Sequence, residues 1–383
     1  MPEKKLEDLL EGIGKNGVPL EEPMHETQHA QELVVSQGVD NIEARLKSVD
    51  SHLVLPRGKY TIDFDIVVRE QGVLEIEPGT EIYFGEDGGI ISYGTLKAKG
   101  TEHHNIVFTA QKRKWKNITI AGRCASDTIL EYCNISQGSG RKEVPETATF
   151  ESSYGISYYG GGLYVRYADP TIRYCTIRYN KADHGGGVEL DFSNAVLEKN
   201  LIEHNEAEDS GGGLWFIGSN ATLSGNIIRN NTANNKGGGL YLLKSNLIMK
   251  ENIIEYNKCK WSNSNGGGLL IAESSPTLQE NTIRNNEADW GGGFYYIDSN
   301  PTMLNNVIKN NTARKCGGGL HFTGESKPTL KQNTITNNLA LGVDYEKGRG
   351  GGVLLARSVP KSYITQGDNK ITNNNPDDIF SFD

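Results

Sequence analysis

The chain has 383 residues, only 36% of them hydrophobic, with 46 Gly, and no apolar run approaches the length of a membrane span, which excludes membrane insertion by a helix. A net charge of −9, from 39 basic against 48 acidic residues, argues against nucleic acid and anionic membrane partners and disfavours a highly anionic polysaccharide unless metal ions bridge. Cys124, Cys133, Cys175, Cys259 and Cys316 are an odd set without metal-ligand spacing, so they read as reduced, mostly buried thiols.

Residues 1–50 stand apart from the rest. "MPEKKLEDLLEGIGKNG" is too polar for a secretory core, so no signal peptide is read there. Leu6, Leu9, Leu10 and Ile13 fall on one helical face, "NGVPLEEP" is a link, and Ile42 and Leu46 mark a second short amphipathic turn. A partly helical N-terminal cap over an open core end is expected, with a protein-binding tail as the other reading. Residues 51–136 carry short alternating stretches such as "LPRGKYTI" and "WKNITI", read as opening coils, and residues 137–159 as an inserted loop. The adjacent His103 and His104 suit a turn better than a metal site.

From residue 160 to 374 the chain repeats. A Gly triplet starts at Gly160, Gly185, Gly211, Gly237, Gly266, Gly291, Gly317 and Gly350, in steps of 25, 26, 26, 29, 25, 26 and 33 residues. Such a period means stacked units, each too small to bury a core alone. In phase with the glycines run Asn180, Asn205, Asn231, Asn257, Asn286, Asn311, Asn338 and Asn374, and a second column from Asn200 to Asn369 with Cys175 in its first slot. An Asn at each inward turn satisfies the backbone of its own rung and the amide of the next. Between these columns, stretches such as "PTIRYCTIRYN" alternate with period two. The expected fold is all-β, a single-stranded parallel β-helix of about 25–26 residues per coil. Residues 375–383, with Ile379, Phe380 and Phe382, are expected to close the far end.

The spacing in "IRNNTANNKGGGL" and "IRNNEADWGGGF" resembles the right-handed parallel β-helix repeats of the pectate-lyase-like superfamily, and is similar to the repeats of chlamydial-type polymorphic surface proteins. "GVLEIEPGTEIYFG" and "YGTLKAKGTEHHNIVFTA" look like opening coils of secreted members, so residues 52–383 share the likeness. The resemblance implies a right-handed helix and an extracellular or cell-surface location. It implies no single activity, since lyases, hydrolases, epimerases, tailspikes and adhesins share the fold. The Arg and Lys cluster and the Asp calcium set of pectate lyases are missing from the corresponding face, and no calcium-repeat motif occurs, so no cofactor is expected and Ca²⁺ stays open.

In the strand after each Gly triplet the first and third columns are apolar throughout and should point inward. The second column, Tyr164, Glu189, Trp215, Tyr241, Leu270, Tyr295, His321 and Leu354, and the fourth, beginning Arg166 and Asp191, should then face outward. Rings on rungs about 4.8 Å apart would form a platform for sugars, with Tyr164, Arg166, Trp215, Tyr241, Tyr295 and His321 as substrate-binding residues. Glu189 and Asp191 lie two apart on one strand, with Cα atoms about 6.6–6.8 Å apart, near the roughly 6.5–9.5 Å carboxyl spacing of inverting glycosidases. With Asp183 and His184 at the adjoining corner they are the candidate catalytic residues. An Arg166–Asp191 ion pair across the strands is the competing structural explanation. Two functions remain open: a polysaccharide-binding protein, with or without cleavage or epimerisation of its glycan, or a non-catalytic adhesin or scaffold whose apolar outer face docks a protein partner or a second protomer.

Overall fold

The computed structural model describes residues 42–142, 159–343 and 348–382. The expected helical face at Leu6–Ile13, most of the loop read between residues 137 and 159, and residues 344–347 lie outside these. Every strand-to-strand ladder pairs parallel partners one coil apart, so strands contributed in rotation build stacked sheets rather than hairpins. The result is a right-handed β-solenoid of about 12 turns with very little helix.

Three sheets run the length of the solenoid, with 11, 12 and 12 strands. They begin at His52–Leu55, Lys59–Ile62 and Asp65–Val68, each a four-residue stretch whose alternate side chains are buried. Alternation explains them: every second residue enters one continuous core, from Leu46 and Val49 to Val359 and Ile364. The core meets the helix Ile42–Lys47 at its first coil, where Leu46 is buried. At the other end Ile364, on the short helix Ser362–Thr365, joins it. Residues Ile379–Ser381 extend the third sheet as its last strand, partly buried, with Ile379 packed against the core.

A fourth sheet of seven strands, from Lys181–His184 to Leu339–Ala340, occupies what reads in sequence as the corner before the glycines. It carries small buried residues, Ala207, Ala233, Cys259 and Ala288, in a cluster of their own. The Gly triplet then has three distinct tasks, shown by Gly211–Gly213. Gly211 has φ +69°, and a Cβ there would lie 2.9 Å from Cβ of Trp215. A Cβ on Gly212 would collide with the carbonyl oxygen of Gly238 in the next coil, and one on Gly213 would lie 3.0 Å from the Asn231 amide nitrogen. The triplet is where backbone folds back over a strand, stacks on the next rung and makes room for the Asn column.

Both Asn columns are hydrogen-bonded end to end. Asn205 Nδ2 donates to Asn231 Oδ1 at 3.0 Å and to the Ile177 carbonyl at 2.9 Å, and the pattern continues to Asn374, whose Nδ2 donates to Asp378 Oδ1 at 2.9 Å. Cys175 takes the place of an Asn in the first slot: its N–H donates to Asn200 Oδ1, its Sγ accepts the Cys133 N–H at 3.5 Å, and its thiol donates to the Leu130 carbonyl at 3.4 Å. A third column, not recognised in the sequence, consists of Ser193, Ser219, Ser245, Ser274, Ser299 and Ser326, each hydroxyl after the first accepting the N–H of the preceding rung's serine. All five cysteines are free thiols, and Cys124 is exposed while the other four are buried.

Candidate functional site

The third sheet carries the candidate residues. Its strands Leu163–Arg166, Val188–Asp191 and Leu214–Ile217 pair in parallel, which sets Tyr164 beside Glu189 beside Trp215, and Arg166 beside Asp191 beside Ile217. The first and third columns enter the main core, as alternation requires, and Trp215, Tyr241, Leu270 and Ala272 form a separate cluster on the opposite face.

That opposite face is not the open platform expected. Tyr164 is 1% exposed, Trp215 7%, Tyr241 8% and His321 6%, and Leu270 and Leu354 are buried too; only Tyr295 is partly open. Two features of the coil, the first Gly of each triplet and the fourth sheet, cause this. Gly185, Gly211, Gly237, Gly291 and Gly317 fold the backbone against the Cβ atoms of Glu189, Trp215, Tyr241, Tyr295 and His321. Residues before the glycines then lie against the same column: His184 meets Trp215 edge-on with centroids 3.7 Å apart, Lys236 lies over the Tyr241 ring, and Trp290 packs at 5.7 Å from His321. A ring covered in this way has no free face on which to stack a sugar.

Glu189 is 1% exposed and accepts a hydrogen bond from the Gly160 N–H at 3.0 Å. Burial, with the neighbouring Asp191 carboxyl adding to it, pushes the Glu189 carboxyl well above its usual range. Asp191 is 9% exposed, and burial raises it to about 6, against the opposing effects of the Tyr164 hydroxyl and Arg166. The Tyr164 hydroxyl donates to Asp191 Oδ2 at 2.8 Å, and its own pKa is driven up by burial and by both carboxyls. The Tyr164 ring stacks on Tyr159, which bridges to His184 on the fourth sheet.

Arg166 and Asp191 are lateral neighbours and each favours the other's charge, but no ion pair within 4 Å joins them. The half-buried Arg166 guanidinium instead lies 5.2 Å from the centre of the Tyr167 ring. Burial works against its charge, and Tyr164, Tyr167 and Asp191 outweigh burial. His184 is pushed down to about 4, chiefly by burial, so it is a neutral imidazole at neutral pH; its Nδ1 stands 3.9 Å from Asp209 Oδ2. Asp183 raises the proton affinity of both His184 and Glu189. Four buried polar atoms here have no hydrogen-bond partner: Arg166 Nε, His184 Nδ1, Asp191 Oδ1 and Trp215 Nε1. Among the described residues, no group of three or more His, Cys, Asp and Glu side chains gathers as a metal site. No described helix is long and apolar enough to cross a membrane.

The fold and this corner define a parallel β-helix that carries a buried, partly unsatisfied polar cluster on its third sheet. The chain belongs to the right handed beta helix region family, whose model matches residues 61–233 and 218–376. It is similar to Protein bark beetle of Drosophila melanogaster, 36% identical over 64 residues, which is 17% of this chain and only 2% of that much longer protein. Among solved structures, the periplasmic alginate epimerase AlgG is similar with a TM-score of 0.46 and 15% identity, over 82% of this chain and 88% of that one.

Proposed function

We propose that this β-helix binds a polysaccharide at the coils carrying Tyr164, Arg166, Glu189 and Asp191, and that Asp191 transfers a proton to or from the bound sugar. The reading is supported by one observation above others: two adjoining carboxyls share a buried site in which Asp191 titrates at about 6 while its Oδ1 lacks a partner. A carboxyl balanced between its two protonation states near neutral pH suits general acid–base work. A structural role would instead pair Asp191 with its lateral neighbour Arg166. Burial and the adjoining Asp191 carboxyl also push the Glu189 carboxyl well above its usual range, which favours its uncharged form beside Asp191. Arg166 supplies a fixed positive charge beside any oxyanion that forms, and neutral His184 offers a second acceptor. Both hydrolysis and epimerisation of a sugar need such a proton shuttle. Secretion or surface display, which rests on the superfamily resemblance, belongs to the same proposal.

The docking alternative is less well supported, because the apolar column that would meet a partner is already buried. The test is oligosaccharide binding by calorimetry followed by product analysis. Asp191→Asn should retain binding and lose turnover by about 100-fold or more, the scale of one general acid–base residue. Failure of the parent protein to bind any neutral or acidic glycan would overturn the proposal.

A further inference from the structure

We infer that the glycan runs along the corner that follows the third sheet, with a neutral pyranose ring seated against the exposed Tyr167–Phe192 stack and the next one in the cavity beside Gly122. This rests on the carbohydrate reading above and assigns its binding track. Tyr167 and Phe192 directly follow Arg166 and Asp191, and are 40% and 43% exposed. Their rings stack with centroids 5.2 Å apart and planes 13° from parallel. Further along this corner the same position holds Gly218, Lys244, Glu273, Asp298 and Gly324, so the rings occur only on the two rungs that carry the candidate site. Other stacked pairs, Tyr132–Tyr174 and Tyr179–His204, sit at different corners.

The neighbouring rungs leave this stack open on one side. Phe192 lies over Gly218, where a Cβ would come within 2.7 Å of its ring. On the other side Gly122 donates its N–H to the Arg166 carbonyl, and a Cβ added to Gly122 would meet nothing within 4 Å. A cavity of about 520 Å³ begins there, lined by Tyr93, Ala121, Gly122 and Arg123 together with Arg69 and Glu70. Its size is that of a small-molecule site. Ala121 is the lateral neighbour of Arg166, and Arg166 of Asp191, so the cavity begins about 9–10 Å from the Asp191 rung at the spacing of stacked strands. One rung advances the chain by close to one pyranose unit. Arg69 and Arg123 balance Asp50 and Glu70 in this wall, a mixture of donors and acceptors that suits hydroxyl groups rather than a polyanion.

The experiment measures binding of cellohexaose, mannohexaose and a galacturonate hexamer by calorimetry to the parent protein, to the double variant Tyr167→Ala/Phe192→Ala and to the control Tyr256→Ala. Tyr256 is a 55% exposed ring on another corner. The track predicts that the parent binds a neutral hexamer, that the double variant binds it at least tenfold more weakly, and that the control matches the parent. If the double variant does not fold, Tyr167→Leu, which keeps bulk without an aromatic face, should lose affinity several-fold. Parent-like binding by the aromatic variants would overturn the track and leave the carbohydrate reading standing. Binding of the galacturonate hexamer alone would overturn the neutral-sugar assignment, and binding of none would overturn both.

Discussion

Asn257→Leu perturbs one rung while conserving the size of the side chain. In the wild type, Asn257 Oδ1 accepts the Asn231 N–H at 3.0 Å and Asn231 Nδ2 at 3.1 Å, and Asn257 Nδ2 donates to the Ile228 carbonyl at 2.9 Å and to Asn286 Oδ1 at 3.0 Å. Leucine removes all four. Asn286 Oδ1 still accepts the residue-257 N–H, and Asn231 Nδ2 still donates to the Ile202 carbonyl. The Asn231 backbone N–H keeps no acceptor. Leaving one buried donor unpaired costs about 1–3 kcal/mol, and that is the loss expected in equilibrium urea unfolding at an unchanged m-value. Because each coil touches only its neighbours, amide hydrogen exchange should accelerate around residues 228–257 more than in coils near Leu74 or Ile335. An unchanged unfolding midpoint together with unchanged exchange at Asn231 would refute the reasoning, since the N–H would then have found another acceptor without cost.

Four other outcomes are expected. Asp191 titrates at about 6 in the fold against a usual value of 3.8, so its contribution to stability is fully present below about pH 4 and is lost as pH rises through 6. Asp191→Asn should therefore be more stable than the parent at pH 8, by on the order of 3 kcal/mol because the folded carboxyl holds its proton roughly a hundredfold more tightly than the unfolded one, and nearly equal to it at pH 4; melting temperatures at the two pH values check this. His184 has the opposite sign: its depressed value of about 4 means stability is complete above pH 6.5 and lost as pH falls through 4, so His184→Gln should reduce acid sensitivity in the same scans. Trp215→Ala should destabilise the fold by roughly 3–5 kcal/mol as a cavity in a buried cluster, and a loss of sugar affinity with an unchanged melting temperature would show that ring to be a surface after all. Thiol alkylation of the native protein should modify Cys124 alone, because the other four are buried and burial holds the Cys133 thiol well above its usual range and raises Cys259 to about 12.

Most of the solenoid was legible because its physics repeats. A period near 26 residues, two Asn columns and two apolar columns each appear some eight times, and a pattern seen eight times specifies register. The fourth sheet was not legible for a related reason. Its strands shrink to two residues at Thr232–Ala233 and Lys258–Cys259, and their buried side chains are alanine and cysteine, too small to stand out as a hydrophobic stripe. The serine column was hidden because serine also fills exposed turns, and only burial separates Ser219 and Ser245 from those.

The candidate site shows where alternation alone stops being informative. In the strands that follow the Gly triplets it separated the core-facing columns from the others, yet facing away from the core does not mean facing water. The Gly triplet that signals the repeat is also what folds the chain back over Trp215 and Tyr241. The same covering gives Glu189 and Asp191 their raised proton affinities, because a carboxyl on an open face would keep its charge solvated. Loss of the platform and gain of the titrating pair therefore have one cause. Next to Arg166 and Asp191 the exposed rings are those one residue beyond the strand, Tyr167 and Phe192. In a coil of this kind, chemistry is to be sought in the covered second and fourth columns, and sugar contacts at the corner beside them.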